Sequence, residues 1–348
     1  MKGIRKRTLY SVAICSAVLI VILAVCVLVG SASIPLKTVL GVLLKSVGLG
    51  SIGDAEISRS QEVILLNIRI PRVLLASLVG GGLAITGCVM QAIFKNPMAE
   101  PGVLGWASGG AFVAVVVIYT GLASSSVLIL PLGAFAGTLI TAYTVYKVAT
   151  VNGYTPSSVL LLTGVALGSL FIALTTLVLT LANVWTMKEM LFWLLGGVDA
   201  RGWAHIRLAA PAVAVGAVGI LFYARELNAM LLGEEVAVTL GVNVQRTKTV
   251  LLVLCSLVVG ACVSVSGVIG FVGLIVPHLM RFVVGADHRA LLPTSFLTGA
   301  VFLPLADLLS RTLARPIELR LGIITACLGV PFFLYLLKKN RAKLAGVS

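Results

Sequence analysis

The sequence predicts an all-α, polytopic membrane protein with about ten transmembrane helices, and three observations carry that prediction. The composition is 59% hydrophobic and only 11% charged, whereas soluble domains carry about 25% charged residues. The mean hydropathy is +1.12. Apolar runs near the roughly 20 residues that cross a bilayer recur along the 348 residues, separated by short polar breaks. No short repeat or separate soluble segment interrupts them, so residues 1–348 read as a single transmembrane domain.

The first run covers 9–30, behind the basic cluster Lys2, Arg5, Lys6 and Arg7. Ser31-Ala32-Ser33 imitates a signal cleavage site, and Leu23-Ala24-Val25 before Cys26 faintly imitates a lipoprotein signal. The run is longer than a usual signal core and further runs follow, so a retained first helix is expected. The second run, 70–94, ends at a proline-bracketed polar turn, Lys95-Asn96-Pro97-Met98-Ala99-Glu100-Pro101. Irregular backbone in hydrocarbon persists only where protein or a water-filled path satisfies it, which places this break at a membrane face or beside a pathway.

Runs at 103–121, 126–148, 157–182 and 203–224 continue the pattern. Residues 225–242 are too polar to span and read as two short amphipathic helices joined at Gly233. Such an element lies on a membrane or inserts its apolar face into a partner's groove; Glu234 and Glu235 favour a protein partner. Runs 246–268 and 269–285 are interrupted by Gly267, Gly270 and Gly273, giving either two short helices or one span followed by a broken half-helix. Runs 290–309 and 321–337 complete the set.

An even count puts both basic ends on one side, and the positive-inside rule makes that side cytoplasmic. Segments 95–101, 147–156, 225–248 and 285–289 are then cytoplasmic, and 31–67, 121–125, 183–202 and 311–320 are outer. Arg69, Arg72, Arg311 and Arg315 fall on the outer side, against the charge rule. They read either as interfacial anchors that snorkel or as a basic patch receiving acidic side chains of a partner.

Little in the chain suggests chemistry of its own. The 26 Lys and Arg against 12 Asp and Glu flank apolar runs and form no basic face with interleaved aromatics, which argues against nucleic acid. Cys15, Cys26, Cys88, Cys255, Cys262 and Cys327 lie inside apolar runs without a C-x-x-C pair, so neither a metal site nor a disulfide framework is expected. Asp307 and Arg311 stand one turn apart and read as a structural ion pair. His205, His278 and His288 make no metal spacing, and no phosphate-binding G-x-x-x-x-G-K-[ST] loop occurs. An ion-coupled secondary transporter remains the rival class; it usually needs midplane acids, which are scarce here. An intramembrane enzyme lacks an assembled nucleophile or metal pair.

One set of blocks is more specific than composition. It comprises Arg69-Ile70-Pro71-Arg72, residues 91–110, 160–168, Trp193-Leu194-Leu195-Gly196-Gly197, the stretch from Leu232-Gly233-Glu234-Glu235 to Leu240-Gly241-Val242, and 267–278. Gly285-Ala286-Asp287-His288-Arg289, Ala306-Asp307 with Arg311, and Gly329-Val330-Pro331-Phe332 follow. In this order the chain resembles the FecCD family, the permease subunits of type II ABC importers for ferric siderophores, haem, cobalamin and related chelates. The resemblance implies the type II importer permease fold and a prokaryotic cytoplasmic-membrane location with both termini cytoplasmic. It also implies a second permease subunit (expected to be a second copy), two cytoplasmic ATPases that carry the Mg-ATP, and an extracytoplasmic binding protein.

By the same resemblance, Arg69, Arg72 and Arg311 dock the binding protein, with Arg320 extending the patch where Leu319-Arg320-Leu321-Gly322 departs from the family's Leu-Pro-X-Gly. The segment 226–243, through Leu232, Gly233, Glu234, Glu235, Ala237, Leu240 and Gly241, couples to the ATPase. Asn96, Met98, Ser157 and Ser158 narrow the inner end of the path, although Asn96 and both serines are also ordinary helix-capping residues. No cofactor and no metal is expected on this chain; ferric siderophore is the first cargo expected, followed by haem and cobalamin.

Overall fold

A computed structural model describes residues 2–30, 34–46 and 58–344. Ser31-Ala32-Ser33 and the part of the expected outer segment at 47–57 lie outside them, as do the side chains of Lys2, Arg5, Lys6 and Arg7. Helices follow one another as α1 (Lys2–Leu28), α2 (Leu36–Ser46), α3 (Arg59–Val63), α4 (Ile70–Ile93), α5 (Trp106–Tyr119), α6 (Ile129–Ala149), α7 (Ser157–Leu181) and α8 (Val184–Leu194). The chain continues with α9 (Trp203–Phe222), α10 (Ala224–Leu231), α11 (Glu234–Thr239), α12 (Val244–Ser266), α13 (Val272–Val284), α14 (His288–Ser310) and α15 (Leu321–Leu344). The described residues contain no strand, only the isolated bridge Val151–Tyr154.

Seven of these helices are long and apolar enough to cross a membrane, and three shorter apolar ones, in α5, α13 and α15, bring the set to ten. Each corresponds to one of the expected runs. The ambiguous stretch around 268 is a full-length helix, α12, followed by a half-helix of 13 residues, α13. The turn between them needs Gly267 at φ 67° and places Phe271 at φ 68°, a left-handed conformation that few non-glycine residues adopt.

Three helices, α2, α3 and α8, were not expected within the outer segments. Asn183 caps α8 by accepting the Thr186 N–H at 3.0 Å, and α2 is too short to register as a span. Residues Ile64–Arg69 form a π-helical turn that joins α3 to α4. It runs directly into Pro71, which has no N–H to donate to the preceding turn, and so rotates Arg69 and Arg72 relative to a regular helix.

The core is built around α4. Of its most apolar window 89% is buried, against 6% for α1. Small residues let its neighbours approach closely, as helices do where no solvent drives them together. Gly80 faces Gly299 of α14, and Gly87 faces Gly273 of α13, with backbone on both sides. A methyl at Gly273 would meet Leu83 O at 2.9 Å and Pro101 Cδ at 3.0 Å.

Candidate functional site

Four guanidinium groups gather where α1 and α14 end and α4 begins. The last carbonyls of a helix have no partner within it and form the negative end of its dipole. Here the end of α1 receives arginines from elsewhere: Arg311 donates to Cys26 O at 2.8 Å, Arg69 to Val27 O and Leu28 O at 3.0 and 3.1 Å, and Arg315 to Gly30 O at 2.9 Å. Arg72 instead grips Asp307, and its Nη1 donates to Glu318 Oε2 at 2.9 Å. Arg311 Nε lies 3.3 Å from Asp307 Oδ2, an ion pair one turn apart.

This arrangement corrects the expected open basic patch. Arg69, Arg311 and Asp307 are only 4%, 3% and 1% exposed, because the uncapped end of α1 and a buried carboxylate offer them better partners than water does. Arg320 is half-buried, bonded to Asp199 Oδ2 at 2.6 Å and stacked 4.0 Å over the Phe192 ring. Arg315 is the exposed member of the group. Sequence reading found the basic residues but missed Glu318 and Asp199 as their partners.

The chain break before α13 is where several sequence blocks meet. Gly197 N–H donates to Ser266 O at 2.8 Å, and Gly322 N–H to Leu195 O at 3.2 Å, so the ends of α12 and α8 find backbone partners within the protein, where the bilayer offers none. Phe271 N–H, at the start of α13, donates to Glu100 Oε2 at 3.0 Å. Burial pushes the Glu100 carboxyl up from its ordinary value of 4.5, and the Phe271 bond draws it partly back. Gln91 spans α4 and α13: its Nε2 lies 3.3 Å from Leu274 O, and its Oε1 accepts from Arg281 at 3.0 Å.

Of the expected gate residues, Asn96 is exposed and its Oδ1 accepts the Met98 N–H at 2.9 Å. Ser157 opens α7 but donates to Ile93 O of α4 at 3.4 Å, capping the end of a different helix. Ser158 is exposed and Met98 half-buried. The structure thus joins Ser157 to the turn that carries Asn96 and Met98.

At the opposite end of α14, α10 and α11 form the two short helices expected around Gly233, which has φ 128°. Ala224, Leu227, Met230 and Ala237 are buried against the helices, while Leu232, Val238 and Leu240 are 68%, 60% and 62% exposed. Glu234 accepts from Lys248 Nζ at 2.8 Å, and Lys248 is 2% exposed; Glu235 is exposed. Beside these residues lies a cleft of about 580 Å³ lined by Tyr154, Glu234, Glu235, Val238 and Gly241 among others.

Comparison with known proteins gives a consistent picture. The sequence profile of the FecCD transport family matches residues 18–339. The cobalamin import system permease protein of Halobacterium salinarum is 48% identical over 287 residues, covering 82% of this chain and 76% of the relative. The hemin transport system permease protein of Yersinia pestis is 40% identical, covering 81% and 85%. A solved structure described as a metal-chelate type ABC transporter in an inward-facing conformation superposes with a TM-score of 0.77 at 30% identity. It covers 94% of this chain and 99% of its own.

Proposed function

Because the chain belongs to the FecCD transport family, we propose a working assembly of two copies of this permease, two cytoplasmic ATPases and one extracytoplasmic binding protein. The chain is the multi-pass, membrane-embedded permease subunit of an ABC importer, and the hydrolysis of ATP belongs to a separate subunit. Both termini and the α10–α11 element face the cytoplasm, and the arginine cluster faces outward. The observation that carries this reading is the two-ended build of α14. Asp307 at one end joins the arginine cluster, and the other end adjoins α10 with its exposed apolar neighbour α11.

In this reading Leu232, Glu235, Val238 and Leu240 enter a groove of the ATPase as an amphipathic helix does, and Gly233 sets the angle between the two helices. Arg72 and Arg320 dock the binding protein by exchanging their exposed partners, Glu318 and Asp199, for its acidic side chains. Arg69 and Arg311 hold the site together through α1. Asn96, Met98, Ser157 and Ser158 narrow the cytoplasmic end of the path. Alternating access follows when ATP binding moves the coupling element, because states are shifted only by what binds them differently.

The cargo is an intact metal chelate. The named relatives carry cobalamin and hemin, so these stand beside ferric siderophore as the cargoes to assay. Proteoliposomes holding the permease, its ATPase and a loaded binding protein should accumulate one of them only with ATP. Uptake that ignores ATP and follows an ion gradient would overturn the reading.

A further inference from the structure

The Gly285-Ala286-Asp287-His288-Arg289 block has no role in the function just described, and its geometry supplies one. Asn228 lies on α10, 59 and 60 residues before Asp287 and His288. Its Nδ2 donates to Asp287 Oδ1 at 2.7 Å. Its Oδ1 accepts the His288 backbone N–H at 2.8 Å and lies 2.9 Å from His288 Nδ1. An amide oxygen only accepts, so His288 carries its proton on Nδ1. The opposite amide orientation would set oxygen against the Asp287 carboxylate, which fixes how Asn228 is turned.

One side chain thus holds the first turn of α14 by three contacts. Asp287 is itself the N-cap of that helix, accepting Arg289 N–H at 3.0 Å, and His288 is fully buried. The turn before it is made by Gly285 at φ 86°, directly after the end of α13. Apolar packing of Leu227 and Met230 seats α10 on the bundle, but dispersion is non-directional, whereas these bonds fix register between the two elements. From there α14 runs 23 residues, about 34 Å at 1.5 Å per residue, to Asp307 and the arginine cluster.

We propose that Asn228 is a positioning residue that transmits movement of the α10–α11 element to α13 and α14 through Asp287 and His288. This rests on the importer reading above. Its side chain points into the membrane helices, away from the exposed residues assigned to the ATPase.

The test compares wild type, Asn228→Ala, Asp287→Ala and Asp287→Asn permeases in proteoliposomes with the ATPase and loaded binding protein. ATP hydrolysis, cargo uptake and hydrogen exchange over residues 285–291 are read in the same preparations. Asn228→Ala should keep hydrolysis within about twofold while uptake per ATP falls about tenfold, and exchange at the His288 amide should rise. Asp287→Ala should behave alike, while Asp287→Asn, which keeps the acceptor oxygen, should restore uptake per ATP to within about twofold of wild type.

Hydrolysis and uptake falling in proportion would assign the link a structural role only and overturn the proposal. So would raised exchange with uptake per ATP unchanged. A wild-type complex that hydrolyses ATP without accumulating cargo is a separate result, which sinks the importer reading itself.

Discussion

Arg72 and Asp307 lie 235 residues apart in sequence and meet through three hydrogen bonds: Arg72 Nε to both carboxylate oxygens at 3.1 Å, and Nη2 to Oδ1 at 2.9 Å. Asp307 is 1% exposed and also faces Arg311. One buried carboxylate therefore pairs with two guanidiniums and joins α4 to α14.

Removing that carboxylate leaves two cations facing each other out of water. Asp307→Ala should destabilise the permease by about 3–5 kcal/mol, the usual cost of breaking a buried pair. Glu318→Gln, at an exposed partner, should cost about 0–1 kcal/mol. Thermal unfolding in detergent decides between them; equal losses would mean that the two acids are equivalent.

Glu318 also offers a cleaner probe of docking than Arg72 does, since Arg72→Glu places a carboxylate against Asp307 and damages the fold. If a binding-protein acid displaces Glu318, Glu318→Gln frees Arg72 and should tighten docking by about threefold to tenfold. Surface-immobilised permease titrated with binding protein reads this directly. Weaker docking would show that Glu318 itself meets the partner.

The two acids at the start of α11 differ in the same way. Glu234→Gln removes the charge opposite buried Lys248 and should destabilise the permease by about 1–3 kcal/mol. Glu235→Gln should leave its unfolding unchanged and weaken only the co-purification of the ATPase. If unfolding of the two variants coincides, the Lys248 contact contributes nothing.

Two glycines three residues apart give a packing test. Gly273→Ala meets backbone and the Pro101 ring, so overpacking should cost about 1–3 kcal/mol. At Gly270 an added methyl touches nothing within 4 Å, and Gly270→Ala should unfold as wild type does. Their difference in detergent midpoint checks the α4–α13 approach.

The spans were legible because hydropathy over about 20 residues is a property of sequence alone. The two helices at Gly233 were legible from their mixed polarity. The break at 268 was visible as Gly267, Gly270 and Gly273, but its outcome depends on where Gly197 and Glu100 reach it, which only packing decides. The arginine cluster shows the same limit. An arginine at the end of a span looks alike in sequence whether it meets water or the carbonyls of another helix. Asn183 before α8 was a readable cap signal that went unused, because 183–202 reads as an outer connecting segment.

The arginines at the end of α1 also bear on how the chain is made. Cys26 O and Gly30 O are each bonded to a residue 285 positions later. At about 5–20 residues per second, synthesis needs roughly 15–60 s to reach those partners. Until then the Cys26 and Gly30 carbonyls stand bare at the end of α1, satisfied by headgroups or by whatever assists insertion. The final register of α1 is therefore settled only when the end of α14 arrives, so a span made long before α14 is locked only with it.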